Sequence, residues 1–195
     1  MFHTAGEELD RAVAAAAQGD RWALAQVLEL IRPLVVRYCR ARIGVARGRI
    51  SADDVAQEVC LAVLTALPRY QDQGRPFMAF VYGIASHKVA DAHRYAAHTK
   101  AEAVSEPPET LLPVPAGAEQ RALEPEAHRR LNQLLATLPE KHQEVLILRL
   151  AMGLSAEETA VAVGSTAGAI RVAQHRALAK LKADVERTGE LRGNG

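Results

Sequence analysis

Aromatic side chains are scarce in this sequence: four tyrosines, three phenylalanines and one tryptophan make up 4% of 195 residues. β-Sandwiches draw on aromatic and β-branched residues, so the shortage argues against an all-β core. Apolar residues still reach 49%, and alanine is abundant among them, which favours small helical bundles. Net charge is nearly absent too, with 24 Lys and Arg against 23 Asp and Glu, or +1. A protein that grips DNA unaided through many phosphates would carry a larger positive excess. Either DNA is not the partner, or a larger partner supplies most of the electrostatics. The two cysteines, Cys39 and Cys60, lie in apolar helical stretches without the paired spacing of a zinc site. Both read as buried thiols in a reducing cytoplasm. No apolar run approaches the ~20 residues that cross a bilayer, and the acidic N-terminus shows no signal peptide. The expectation is a soluble, cytoplasmic protein.

What is present concentrates in the last third. Ser155 with Glu158 three residues on forms a capping box, the signature of a helix start. Ala160 is small enough for close helix packing, and Gly164 suits a sharp turn needing positive φ. Ser165 or Thr166 can then cap a second helix that turns Ile170, Ala173 and Ala177 inward. Its other face carries Arg171, Gln174, His175 and Lys182, donors suited to groove edges and phosphates. This is a helix-turn-helix pattern.

Upstream, helical periodicity covers Glu7–Gln18, then a longer stretch from the Asp20 cap towards Ile43, with Leu24, Val27, Leu28, Ile31, Leu34 and Val35 at helical spacing. Pro33 predicts a kink or a split there. Ser51 caps a helix with Val55, Val59, Ala62, Val63 and Ala66 on one stripe, ended by Pro68. A further helix runs from Pro76 to about Tyr95. From Ala101 to Glu126 the chain holds five prolines, six glutamates and one arginine, a composition that reads as an extended acidic linker. Helices follow near 126–137, 140–152, 155–163 and 166–187. The expected architecture is all-α: two small helical domains, 7–97 and 126–187, joined by a flexible linker over 98–125.

The first block adds a second constellation. Six arginines and no acid lie between Ile31 and Arg49, and Asp53, Asp54 and Glu58 then open the next helix, where the macrodipole favours negative charge. Tyr70, Phe77, Phe80 and Tyr82 gather near His87, Lys88 and Arg94. Rings interleaved with cations suit single-stranded nucleic acid, whose bases stack while the cations hold the backbone. Taken singly, such rings are core residues more often than not. Carboxylates 53, 54 and 58, or His87 with Asp91 at i, i+4, offer an alternative metal reading, though a capped helix start and a surface pair explain them equally. The pattern calls for no cofactor or metal and describes a binding protein, not an enzyme.

Asp53-Asp54-Val55-Ala56-Gln57-Glu58, Leu67-Pro68-Arg69-Tyr70 and Phe80-Val81-Tyr82-Gly83-Ile84-Ala85-Ser86-His87 resemble region two of extracytoplasmic-function (ECF) sigma factors. Thr137-Leu138-Pro139-Glu140 through Arg149, with the helix-turn-helix after Gly153-Leu154-Ser155, resembles region four. The two stretches cover most of the chain in the right order, and the wording around Asp53–Cys60 and Gly164–Arg176 is similar to the actinobacterial SigD type of that family. The resemblance implies an alternative sigma factor that brings core RNA polymerase to promoters and helps open them. It implies that Asp54, Gln57 and Glu58 dock on the β′ clamp helices, with the β flap as a further polymerase contact. It places Tyr70, Gln71, Asp72, Gln73, Phe80, His87 and Lys88 at the −10 element, where an extruded base must be held. Arg149, Thr166, Arg171, Val172, His175 and Arg176 fall at the −35 element. An anti-sigma factor, often membrane-anchored in this family, is implied as inhibitor. His87 stands where asparagine is frequent, Phe80 where tryptophan is frequent, and Val172 and Ala173 replace more polar residues. These departures bear on promoter sequence. A stand-alone regulator would explain the helix-turn-helix, but not the acidic motif or the tether.

The 28 residues from 98 to 125 can span at most ~90–100 Å, but as a random coil they average only ~30 Å. Promoter elements one and a half turns apart lie ~50 Å from each other. The tether reaches without holding that span, so polymerase must act as the ruler. The isolated chain should therefore bind promoter DNA no tighter than about 1 μM even at low salt. Fluorescence anisotropy measures this, and sequence-specific nanomolar binding without polymerase contradicts it.

Overall fold

The computed structural model describes residues 3–43, 51–71, 74–103 and 126–193, and every element among them is helical. Helix α1 (His3–Ala17) buries Leu9, Ala12, Val13 and Ala16, the one-sided stripe of a helix lying on a core. Asp20 Oδ1 accepts the backbone N–H groups of Trp22 and Ala23 at 2.8 and 3.2 Å and so starts α2 (Arg21–Ile43). The expected kink or split at Pro33 does not divide α2, which runs through it as one element. Pro33 sits on the exposed side while Ile31, Val35 and Tyr38 are buried. Burial along that stripe outweighs one lost backbone hydrogen bond.

Ser51 caps α3 (Ala52–Ala66) through Oγ, which accepts the Asp54 N–H at 3.2 Å. Val55, Val59 and Val63 face inward, and a 3₁₀ turn over Leu67–Arg69 ends the run at Pro68 as expected. Helix α4 (Phe77–Ala103) continues beyond the expected end near Tyr95. No glycine or proline interrupts residues 95–103, and alanines at 96, 97, 101 and 103 sustain the helix. Cys39 is buried as expected, whereas Cys60 is only half-buried. Most of the expected linker, residues 104–125, lies outside the described residues.

The C-terminal unit contains α5 (Glu126–Leu135), α6 (Glu140–Leu146), α7 (Ala156–Val163) and α8 (Ala167–Gly193). The single helix expected over 140–152 instead widens into a π turn at Ile147–Ala151, closed by the Met152 N–H on the Ile147 carbonyl at 2.9 Å. Val145, Leu146, Ile147 and Leu148 are consequently all buried, in three directions. Val145 packs with Ala156, Ala160 and Ile170, while Leu146 packs with Leu138 and Ala177. Ile147 and Leu148 join the core of the N-terminal unit.

The two units dock directly, α4 on α7 and α2 on the π turn. A Cβ on Gly83 would lie 3.3 Å from the Ala162 carbonyl oxygen, so the bare glycine lets the helices cross closely. Beside this crossing, Arg42 Nε meets Glu144 Oε2 at 2.5 Å, with side chains only 4% and 7% exposed. The Tyr38 hydroxyl donates to the other Glu144 oxygen. Burial, reinforced by the Glu144 charge, pushes the Tyr38 phenol well above its ordinary range and keeps it a donor. Glu140 lies 3.7 Å from Arg42 Nη2 and 3.4 Å from His93 Nδ1.

Leu67 is fully buried while Leu61 is exposed. Leu67→Ala should cost about 2–5 kcal/mol in denaturant unfolding. Leu61→Ala should stay within roughly 0.5 kcal/mol of the parent chain.

Candidate nucleic-acid interface

The helix-turn-helix forms as its sequence requires. Ser155 Oγ accepts the Glu158 N–H at 3.1 Å, and Glu158 Oε2 accepts the Ser155 N–H at 2.5 Å, which starts α7. Gly164 ends α7 in the left-handed conformation, φ 64° and ψ 45°, a geometry cheap only for glycine. Thr166 Oγ1 accepts the Ala169 N–H at 3.2 Å and caps α8. Ile170 and Ala177 are buried and Ala173 half-buried, leaving Arg171, Val172, His175 and Arg176 on the exposed face.

Two cations expected on this face already have work inside the protein. Arg149 Nε donates to Gln174 Oε1 at 2.9 Å, and its Nη1 donates to the Leu154 carbonyl. It thereby ties the recognition helix to the turn that precedes α7. Gln174, expected to face outward, is half-buried as the partner in that bond. Arg171 meets Glu157 Oε1 at 2.5 Å with both side chains largely exposed. Glu157 is held below the usual carboxylate range, first by its own backbone N–H and then by Arg171. The sequence reading missed Glu157 as a member of this face, although its place in the first turn of α7 put it near the recognition helix. Lys182 is exposed and pairs with Glu186 at 3.8 Å.

In the N-terminal unit, the Tyr70 ring stands 5.1 Å from both Phe77 and Phe80. Phe77 is buried and anchors the group, while Tyr70 and Phe80 remain half-buried. They line an open groove of about 530 Å³ with Ala62, Thr65, Ala66 and Arg69. Arg69 was not singled out from sequence, though it precedes Tyr70 in the same 3₁₀ turn. Tyr82 leaves the ring cluster and packs on Tyr38 at 5.4 Å, in the core. His87 is exposed two turns beyond Phe80 on the same helix face. Its Nδ1 lies 2.8 Å from the Gly83 carbonyl; a carbonyl only accepts, so Nδ1 is the donor in this contact. Gln71 is exposed; Asp72 and Gln73 lie outside the described residues.

Asp54, Gln57 and Glu58 are all exposed on α3. Glu58 pairs with Lys88 at 3.3 Å, which joins the acidic patch to a cation expected at the nucleic acid. Asp53 pairs with Arg40 at 3.0 Å. Such exposed pairs contribute about 0–1 kcal/mol and exchange readily for a partner's charges. Among the described residues, no group of three His, Cys, Asp or Glu could hold a metal ion, and no helix is long and apolar enough to cross a membrane.

Residues 27–99 match the Sigma-70 region 2 family and residues 134–183 match Sigma-70, region 4. The chain is 61% identical to the ECF RNA polymerase sigma factor SigD of Mycobacterium tuberculosis, over 95% of this chain and 87% of that protein. Its fold is similar to CnrH in complex with the cytosolic domain of CnrY, with a TM-score of 0.67 at 24% identity over 90% of this chain and 96% of that one. It is likewise similar to the sigma factor RpoE bound to the anti-sigma factor NepR from Bartonella quintana, with a TM-score of 0.64 at 18% identity over 83% and 96%. A helix-turn-helix with an exposed second helix, an aromatic groove and an acidic patch in one chain thus meet two sigma-region matches and a near full-length relative: this protein belongs to the ECF sigma factors, which direct RNA polymerase to promoters.

Proposed function

We propose a division of labour among three surfaces of this sigma factor, with domains at 7–97 and 126–187 and a linker at 98–125. Asp54, Gln57 and Glu58 on α3 take the β′ clamp helices of core polymerase, where carboxylates suit a basic partner and would repel DNA. The β flap receives the C-terminal unit. Tyr70, Phe80, His87 and Lys88, with Gln71, Asp72 and Gln73, hold the opened −10 strand. The half-buried rings and Arg69 supply stacking and charge to offset the few kcal/mol that an extruded base loses. Arg171, Val172, His175 and Arg176 enter the −35 major groove while Thr166 and Arg149 support them from the cap and the turn. An arginine bidentate to guanine discriminates by ~1–3 kcal/mol, and Val172 offers apolar contact to a thymine methyl.

The observation that carries this reading is the exposed recognition face of α8 set in the same chain as the aromatic groove. The protein works by binding, without chemistry or a cofactor of its own, in the cytoplasm beside polymerase. An anti-sigma factor, possibly a membrane-anchored one, is its expected inhibitor, since the similar RpoE is solved with one.

Run-off transcription with core polymerase on genomic fragments, with start sites mapped, tests the activity. Arg171→Ala with Arg176→Ala should reduce transcription at least ten-fold, equivalent to ~1.4 kcal/mol or more of lost promoter recognition, and leave core binding intact. Asp54→Ala with Gln57→Ala should weaken core binding itself in a pull-down. Indistinguishable behaviour of the two pairs would refute the division.

A further inference from the structure

We propose that Glu157 is a positioning residue for promoter reading: from the first turn of α7 its carboxylate holds Arg171 and aims it at a single −35 base pair. The inference rests on the −35 role given to Arg171 above and names what confines that arginine to it. Glu157 Oε1 accepts from Arg171 Nη2 at 2.5 Å, across the two helices of the helix-turn-helix. Both side chains stay largely exposed beside the recognition face, 60% for Arg171 and 64% for Glu157. An exposed carboxylate on a surface that meets phosphates weakens DNA binding, so its presence there calls for a compensating role. Starting the helix is not that role, because Ser155 and Glu158 make the capping box of α7 between them. Holding Arg171 is.

Glu157 is itself fixed. Its carboxylate accepts its own backbone N–H, meets the Arg149 charge as well as that of Arg171, and so stays ionised. Arg149 is tied in turn to Gln174 of α8 and to the Leu154 carbonyl. An arginine bonded to so fixed an acceptor loses less rotamer freedom when DNA arrives. The bond also leaves Arg171 able to read. Two edges of a guanidinium can fork onto a pair of acceptors, and Nη2 contributes one hydrogen to each. A carboxylate oxygen on one of those hydrogens leaves the other edge whole for guanine O6 and N7 in the major groove. The same carboxylate repels any phosphate brought up to Arg171, so DNA without guanine in register gains little from this arginine. Arg176 provides the contrast. It is exposed on the same helix and forms no ion pair among the described residues, so its charge is left to any phosphate within reach.

Base-pair preference, measured with holoenzyme, tests the role. Core polymerase with the full-length chain transcribes a mapped promoter and its single substitutions at every −35 position, and the run-off product gives the preference at each one. Arg171→Ala should lose preference at one base pair at least about five-fold, equivalent to ~1 kcal/mol. Glu157→Ala should lose it at the same base pair and leave the other positions within about two-fold of the parent chain. The double variant should be no worse than Arg171→Ala alone, because the two residues act as a unit, whereas Arg176→Ala should combine additively with Glu157→Ala. Glu157→Gln, whose side-chain oxygen still accepts from Nη2, should fall between the parent and Glu157→Ala. Thermal unfolding of Glu157→Ala, followed by circular dichroism, should match the parent, since the capping box stays intact. Loss of the base pair by Arg171→Ala while Glu157→Ala keeps the parent's preference overturns the positioning role alone. Equal loss at every −35 position in Glu157→Ala overturns it too, as a general disturbance of the motif. If Arg171→Ala alters no preference, the −35 assignment itself falls and takes this inference with it.

Discussion

Four consecutive apolar side chains, Val145 to Leu148, are all buried where α6 passes into its π turn, while Glu140, Lys141 and Leu150 on the same run stay exposed. A helix on a small bundle ordinarily buries one stripe; here four successive positions need cover in three directions. Region four supplies two of the covers, through Ala156, Ala160 and Ile170 for Val145, and Leu138 and Ala177 for Leu146. The third has to come from elsewhere, and in this structure it comes from region two. The docking of the units, the placement of Glu144 opposite Arg42 and the close crossing at Gly83 all follow from that requirement.

The same constraint links architecture to activity. Each of the two units is small, and part of the core of one is supplied by the other. The apolar strip at the end of α6 and in its π turn meets this need, with Ile147 and Leu148 packed into the region-two core. The low net charge fits the same logic. Acidic α3, the Arg171–Glu157 and Lys88–Glu58 pairs and the near neutrality of the whole chain all limit the unpaired positive charge that could meet phosphates. Exposed pairs of this kind yield to a partner's charges at little cost, so polymerase and DNA together can claim what neither holds alone.

Much of the local structure was legible because its causes are local. The Ser155–Glu158 box, the Gly164 turn and the Ser51 and Asp20 caps each depend on residues within a few positions, and each formed. The exposed set on α8 was legible for the same reason, since helical spacing alone separates buried Ile170 and Ala177 from exposed Arg171, Val172 and His175. Illegible features depend on distant partners. Pro33 does not split α2 because buried Ile31 and Val35 hold the helix on either side. Gln174 turned inward because Arg149, far away in sequence, reached it. Tyr82 looked like a member of the ring cluster by spacing, but Tyr38 claimed it. The widening of α6 into a π turn had no local signal beyond an unbroken apolar run.

By itself the sequence determined helix identity, most helix starts and ends and the family, since capping, periodicity and short motifs act over a turn or two. Only the tertiary structure decided how the two units meet: which arginine of the Ile31–Arg49 stretch would be buried, which carboxylate would receive it and that a glycine would mark the crossing. Those outcomes pair residues some hundred positions apart, and their energy exists only once burial removes water from both partners at once.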